Sequence, residues 1–416
     1  MPTPPLDRRL HKAILRLYRR GYTVQEIARR LGLATGTVSK YRRLRLSVNS
    51  GDKANDVDDV EAAVVAEDPV QKQRQSEEER RKREEHLRAV RELSFRRFLT
   101  ELVHDAVQPL ACQPPPPTPQ KPNGHVRHPL LVFTDWHFEE RVSSEGTLGL
   151  NSYDIPTACR RVWRVVQALR DWKSDFESGG RFTADELVVV CLGDFVTGTL
   201  HGLERKSDAP NVVRATLACG DLLALALADL AASFRSIRVY GVPGNHGRLP
   251  DDKRTPTKDP TRSWDFLVYE VARRRLNSCQ NITWELPDSY SLLFNVGGHL
   301  CYAAHGNFIP NNLGVVGHGV RRFTTSVATN LQAAGKPLRY AFFGHWHAVN
   351  SSEFAGLEAF ICPALIGTQE YGFLTGMGTS RSAQSLFIFD DSLGLCGYER
   401  LYGDGPGYKG TYQVSV

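Results

Sequence analysis

LVVVCLGD, residues 187–194, is a six-residue apolar run that stops at a glycine and a carboxylate. A short continuous apolar run of this kind, rich in valine, reads as a strand buried on both faces. The same grammar appears on either side of it. Residues 130–133 (LLVF) run into Thr134-Asp135-Trp136-His137, and residues 237–240 (IRVY) run toward Gly244-Asn245-His246. Amphipathic segments near 155–176 and 212–232 separate these strands, so the chain from about Val126 onward reads as an α/β layered body. Further strands are expected at 289–296, 299–304, 339–343, 358–362 and 384–389, without regular helices between them. That spacing favours a β-sandwich flanked by helices over a simple parallel sheet. No internal repeat is present.

Five short motifs stand where these strands end: Asp135-Trp136-His137, Gly193-Asp194, Gly244-Asn245-His246, His305-Gly306 and Gly344-His345-Trp346-His347. In extended chain residues i and i+2 point to one side, so Asp135 with His137, and His345 with His347, each read as a two-pronged claw. The glycines allow sharp turns beneath a site and keep side chains out of it. Carboxylate oxygen, amide oxygen and imidazole nitrogen together suit Mn, Fe, Zn, Ni or Co rather than calcium. Seven such ligands are too many for one ion and suit two ions that share a bridging carboxylate. A lone Asp-x-His is usually a surface turn, but five of the chain's 13 histidines fall inside these motifs.

The pattern D-x-H, GD, GNH, H and GHxH, in this order over residues 129 to about 390, resembles the calcineurin-like metallophosphoesterases. The resemblance implies a four-layer β-sandwich flanked by helices, with two divalent ions at one edge; Mn²⁺ is expected first, with Zn²⁺, Fe²⁺, Ni²⁺ or Co²⁺ as alternatives. Carried over motif by motif, it makes Asp135, His137, Asp194 and His347 ligands of the first ion. Asp194 bridges to the second, which Asn245, His305 and His345 complete. His246 is implied as a non-ligand that protonates the leaving oxygen or orients the phosphate, and the neighbouring Arg248 is a candidate phosphate clamp.

Departures from the family pattern narrow the function. GD is followed by Phe195-Val196-Thr197-Gly198 rather than by a DRG turn, and His246 by Gly247-Arg248 rather than by an acid. Both disfavour a Ser/Thr phosphatase. Thr197 stands where repair-type nucleases of the family carry histidine. The stretches GNHGR and Leu365-Ile366-Gly367-Thr368-Gln369-Glu370-Tyr371 look more like the enzymes of phages and prophages. His201 and Arg205 are expected on an exposed loop, Trp136 and Trp346 behind the site, His318 near the cleft or on a loop. His125, His128 and His299 are expected in structural or solvent-facing roles.

The N-terminal stretch has a different character. Twelve Lys/Arg against Asp7 and Glu26 give residues 1–50 a net charge of +10, leaving −4 on the remaining 366 residues. A basic module on a mildly acidic body suggests a polyanion-binding arm. Helical spacing predicts three short helices over 6–46, with Thr23-Val24-Gln25-Glu26 as a capping box. GYTVQEIARRLGLATGTVSKYRR resembles the helix-turn-helix of bacterial regulators, resolvases and transposases, which implies DNA as partner. Its third helix would present Thr35, Thr37, Lys40 and Arg42 to the major groove, with Arg43 and Arg45 nearer phosphates.

The expected organisation is therefore a small all-α helix-turn-helix module at 1–50 and the metallophosphoesterase domain at 126–416. Residues 51–125 between them read as an acidic tether, a charged helix and a Pro-rich linker. The helix at 85–107, or the phosphoesterase domain, is a candidate homodimer contact. No apolar run approaches the roughly 18 residues that span a bilayer, so no membrane partner is expected. The eight cysteines form no CxxC pair and read as reduced thiols, consistent with a bacterial or phage-infected host cytosol. The leading functional reading is a dimetal phosphodiesterase or nuclease acting on DNA targeted by the helix-turn-helix. The alternatives are a phosphomonoesterase or cyclic-nucleotide phosphodiesterase with a regulatory arm, and a non-catalytic DNA-binding regulator.

Overall fold

The computed structural model describes residues 8–43, 77–83, 86, 90, 108–116, 125–199, 207–249, 259–310, 316–375, 380–405 and 407–416. Two compact units make up the chain, residues 1–95 and 96–416.

The first unit carries α1 (Arg8–Arg19), α2 (Val24–Leu31) and α3 (Thr35–Arg43). Ile14, Ile27, Ala28 and Val38 meet at its centre, with Leu17, Tyr18, Leu31 and Leu33 around them. The capping box forms as the sequence predicts: the Thr23 hydroxyl accepts from the Glu26 amide, and the Glu26 carboxylate accepts from the Thr23 amide at 2.8 Å. Gly32, with φ +64°, closes α2 in the left-handed conformation that starts the turn. Thr35 is exposed and Thr37 half-buried on α3. Lys40, Arg42 and Arg43 lie farther along that helix with side chains outside the described residues; Arg45 lies outside them altogether. Residues 77–83 are helical, whereas the acidic tether and nearly all of the candidate dimer helix at 85–107 fall outside the described residues.

In the second unit β2 (His128–Phe133), β4 (Glu186–Cys191), β5 (Ser236–Gly241) and β6 (Ile282–Glu285) pair in parallel. The helices α4 (Ile155–Ser178), α5 (Val212–Ala231) and α6 (Trp264–Arg275) connect them in turn. The strand order advances in one direction, and parallel crossovers take one hand, so all three helices cover the same face. On the far side of β2 the sheet is completed antiparallel by β12 (Ala383–Asp390) and β13 (Gly394–Tyr402). A short parallel pair, β1 (His125–Val126) with β3 (Phe182–Thr183), lies outside this sheet.

The second sheet has the order β10-β11-β9-β8-β7, built from β7 (Ser291–Val296), β8 (His299–Ala304), β9 (Tyr340–Phe343), β10 (Asn350–Phe354) and β11 (Leu357–Ile361). Strand alternation sorts the core into layers. Leu131, Phe133, Val189 and Cys191 face Val162, Val165, Leu222 and Val268 of the helices. Leu130, Val132, Val188 and Val190 instead meet Phe294, Tyr340, Phe342 and Phe360 of the second sheet. The outer face of that sheet, with Tyr302, Ala341, Phe343 and Ile361, is covered by Val320, Phe323 and Val327 of α7 (Val316–Ala333). The result is four layers: helices, sheet, sheet, helix.

Two expectations are corrected. Regular helix does intervene among the later strands, because α7 connects β8 to β9. Nor are all eight cysteines thiols: Cys112 and Cys279 form a disulfide, their Cα atoms 5.4 Å apart, while the other six are free. The bond fastens the 108–116 segment to the end of α6, where the Leu110 amide also donates to the Arg275 carbonyl at 2.7 Å. Partners 167 residues apart leave no spacing signature in a sequence.

Candidate metal centre

Every strand-end motif opens on the same edge of the sandwich, at the carboxyl ends of β2, β4, β5, β8 and β9. The turns there are unusual. Seven described non-glycine residues have positive φ, and five of them are Asp135 (52°), His137 (46°), Asp194 (53°), His345 (72°) and His347 (49°). Left-handed backbone is costly for such residues and concentrates where function requires it. The geometry also corrects the two-pronged claw, since these residues sit in tight left-handed turns rather than in extended chain. Asp135 and His137 still converge, but His345 and His347 go to different groupings.

Those groupings are Asp135/His137/His347, His137/Asp194/His246 and Asp194/His305/His345, each with candidate ligand atoms within 4.8 Å of one another. They overlap through His137 and Asp194, so the site is one continuous line of donors. The His347 Nε2 lies 3.2 Å from Asp135 Oδ1. The His305 Nε2 lies 2.9 Å from Asp194 Oδ2 and 3.0 Å from Asn245 Oδ1. All seven residues predicted as ligands, and His246, are thus brought together. The donor set suits divalent transition ions. One atom points to an ion directly: the His137 Nε2 is buried and has no hydrogen-bond partner.

Close packing of two glycine loops shapes the centre. A Cβ on Gly193, itself at φ +88°, would run into the Gly244 backbone, and one on Gly244 would strike the Asp194 carboxylate. Asp265, in the first turn of α6, holds both loops. Its buried carboxylate accepts from the amides of Asp194 (3.1 Å), Phe195 (2.8 Å) and Gly244 (2.9 Å). Gln384 of β12 does the same for the first turn, its Oε1 accepting from Thr134 N and Trp136 Nε1. The Asp135 carboxylate accepts from the Thr134 hydroxyl at 2.7 Å and the His345 amide at 3.0 Å.

Charge is distributed along the line. Burial would raise the carboxyls of Asp135 and Asp194. The facing His347 holds Asp135 well below the usual range, and His305 with His246 does so for Asp194. Burial likewise opposes protonation of His305, yet Asp194 raises it to about 9. Burial also opposes His347, and Asp135 raises it. Burial, reinforced by neighbouring histidines, lowers His137 far below its ordinary value and His345 to about 3. Asp194 thus favours the charged form of His305, and Asp135 that of His347.

Other predicted residues take humbler places. Arg248 turns its Nε onto the Asn245 carbonyl at 3.0 Å, bracing the loop of the ligand motif. Trp136 is buried against Phe195, ring centroids 4.6 Å apart, and Trp346 is buried in the layer under α7. His318 is exposed at the start of α7, His128 pairs with Asp391, His299 meets the Asp390 carbonyl, and His125 is exposed. His201 and Arg205 lie outside the described residues. Sequence reasoning passed over Glu139, Glu140, Asp265 and Gln384. Two acids one residue beyond a strand-end D-x-H were a signal for the first pair; the others carry no local mark.

Residues 128–349 match the family described as calcineurin-like phosphoesterase, and residues 3–46 match the homeodomain-like domain family of helix-turn-helix type. Among solved structures, a predicted phosphoesterase of Streptococcus pneumoniae is 13% identical, at TM-score 0.30 over 68% of this chain and 95% of its own. An archaeal phosphodiesterase is 11% identical, at TM-score 0.30 over 65% of this chain and 98% of its own. A putative 5'-nucleotidase of Staphylococcus aureus is 12% identical, at TM-score 0.32 over 68% of this chain and 56% of its own. No curated protein matches. With more than half of its length in the matched domain, the chain belongs to the calcineurin-like phosphoesterases.

Proposed function

We propose that this phosphoric ester hydrolase is a phosphodiesterase or nuclease that acts on DNA and is directed there by its N-terminal module. The observation that carries the catalytic half is the continuous donor line, five of its residues on left-handed turns, with Asp194 common to two of its groupings. In this reading Asp135, His137, Asp194 and His347 would hold one ion. Asp194, Asn245, His305 and His345 would hold the other, so the two would share Asp194. When bound, the two divalent ions, Mn²⁺ first among them, supply an activated water and neutralise charge on the phosphoryl oxygens. The chain's own residues do the rest. The His246 amide donates to Asp194 Oδ1 at 2.8 Å, which keeps its ring beside the bridging carboxylate. Its Nδ1 faces the Thr197 carbonyl at 3.3 Å, so proton delivery to the leaving oxygen runs through Nε2. Arg248 stiffens this loop through its Nε and is the candidate phosphate clamp beside it.

Support for DNA as the target comes from the basic N-terminal module with its helix-turn-helix arrangement. The deciding experiment loads the full chain with Mn²⁺ and compares DNA, bis-p-nitrophenyl phosphate and p-nitrophenyl phosphate. Hydrolysis of DNA and the diester is expected. Turnover of the monoester alone would make the protein a phosphomonoesterase with a DNA-binding arm, and no turnover of any substrate would make it a regulator.

A further inference from the structure

Thr197 lies three residues beyond Asp194 and is almost fully buried, at 3% exposure. Its backbone is pinned by Glu139, whose carboxylate accepts from the amides of Thr197 at 3.1 Å and Gly198 at 3.0 Å. Its hydroxyl sits between two polar partners. The His137 Nδ1 is 3.1 Å away on one side, and Glu140 Oε2 is 3.0 Å away on the other. The direct His137 Nδ1 to Glu140 Oε2 separation is 3.6 Å, so the link runs through the hydroxyl.

The hydroxyl has one proton, and its direction is fixed from the carboxylate end. Glu140 Oε2 accepts from the Gln369 amide at 2.8 Å and from the Thr197 hydroxyl. The Thr197 hydroxyl therefore donates to Glu140 and accepts from His137, which must carry its proton on Nδ1. The lone pair is then on Nε2, the buried atom without a hydrogen-bond partner that faces the donor line. We propose that Thr197 and Glu140 are positioning residues that lock His137 in its Nδ1–H tautomer and aim Nε2 at the ion. Gln369 extends the relay to the 365–371 loop, which also hydrogen-bonds the Asp135 carbonyl through the Ile366 amide. The relay gives Thr197 a role that needs no contact with substrate. The inference rests on His137 as a ligand, and the test separates the two ideas.

The test has two readouts on the full-length protein. The first is the ¹⁵N shift of the His137 ring nitrogens in metal-free protein, assigned with a His137→Asn variant. The second is Mn²⁺ affinity by calorimetric titration. Wild type should show protonated Nδ1 and an unprotonated Nε2. Thr197→Ser keeps the hydroxyl and should preserve both the pattern and the affinity. Thr197→Val keeps the shape but removes the acceptor; it should shift the proton toward Nε2 and weaken Mn²⁺ binding about 10–100-fold. If Thr197→Val does not fold, Glu140→Gln, which removes the acceptor-only end, should mix the tautomers. A wild-type tautomer and affinity in Thr197→Val overturns the relay, as does an Nε2–H tautomer in wild type. Unchanged Mn²⁺ affinity in His137→Asn instead overturns its assignment as a ligand, while the tautomer data still decide the relay.

Discussion

The Asp194 carboxylate meets His305 through one oxygen and the His246 amide through the other. Asp194→Asn should therefore lose the second ion and nearly all turnover. His246→Ala should keep both ions and slow the chemical step by roughly 10²–10⁴-fold, the usual contribution of a general acid. Metal analysis and kcat of the two purified variants check this, and a metal-free His246→Ala alongside a fully loaded Asp194→Asn would reverse the roles. The raised His305 gives a second prediction. A histidine must be neutral to ligate, and His305 stays protonated up to about pH 9 in the metal-free site. Mn²⁺ binding at pH 7 should thus release protons, and the release should fade as pH rises through about 9. Titrations in buffers of different ionisation enthalpy measure it directly.

The elements of the site are held by groups remote in sequence. Asp265 connects the turn after β4 to the turn after β5 from the start of α6, at a distance of 71 residues from Asp194. Asp265→Ala would leave three buried amides unsatisfied, at about 1–3 kcal/mol each. Chemical denaturation of the full chain should show a loss of that order, with a smaller loss in Asp265→Asn, which retains an acceptor. Elements with strong periodicity were legible: β2, β4 and β5 by their apolar runs, α4 and α5 by their helical stripes. The missed elements have physical excuses. The α7 sequence VGHGVRRFTTSVATNLQA mixes glycine and threonine into its stripe, both poor helix formers, and forms because the outer face of the second sheet needs cover. The exposed edge strands β10 and β13 bury too little to show a clear alternation.

Across the whole molecule, the donor line lies in residues 135–347 and the basic helices in residues 8–43. Deleting residues 1–95 should leave hydrolysis of a small diester near wild type while DNA affinity falls. The slope of log K against log salt should flatten by about 0.9 for every phosphate that the truncated protein no longer neutralises. Binding isotherms at several salt concentrations test this; unchanged affinity and slope would turn the N-terminal helices over to a protein partner. The sequence by itself determined the motif residues, the strands that deliver them and the three-helix module. Those depend on residue type and on periodicities of two and 3.6, which are local properties of a chain. Only the tertiary structure decided that five of the seven candidate ligands sit on left-handed turns, that Cys112 joins Cys279, and that Thr197, Glu140, Asp265 and Gln384 hydrogen-bond around them. Such pairings join residues tens to hundreds of positions apart, and a buried hydrogen bond exists only once packing has excluded water from both partners.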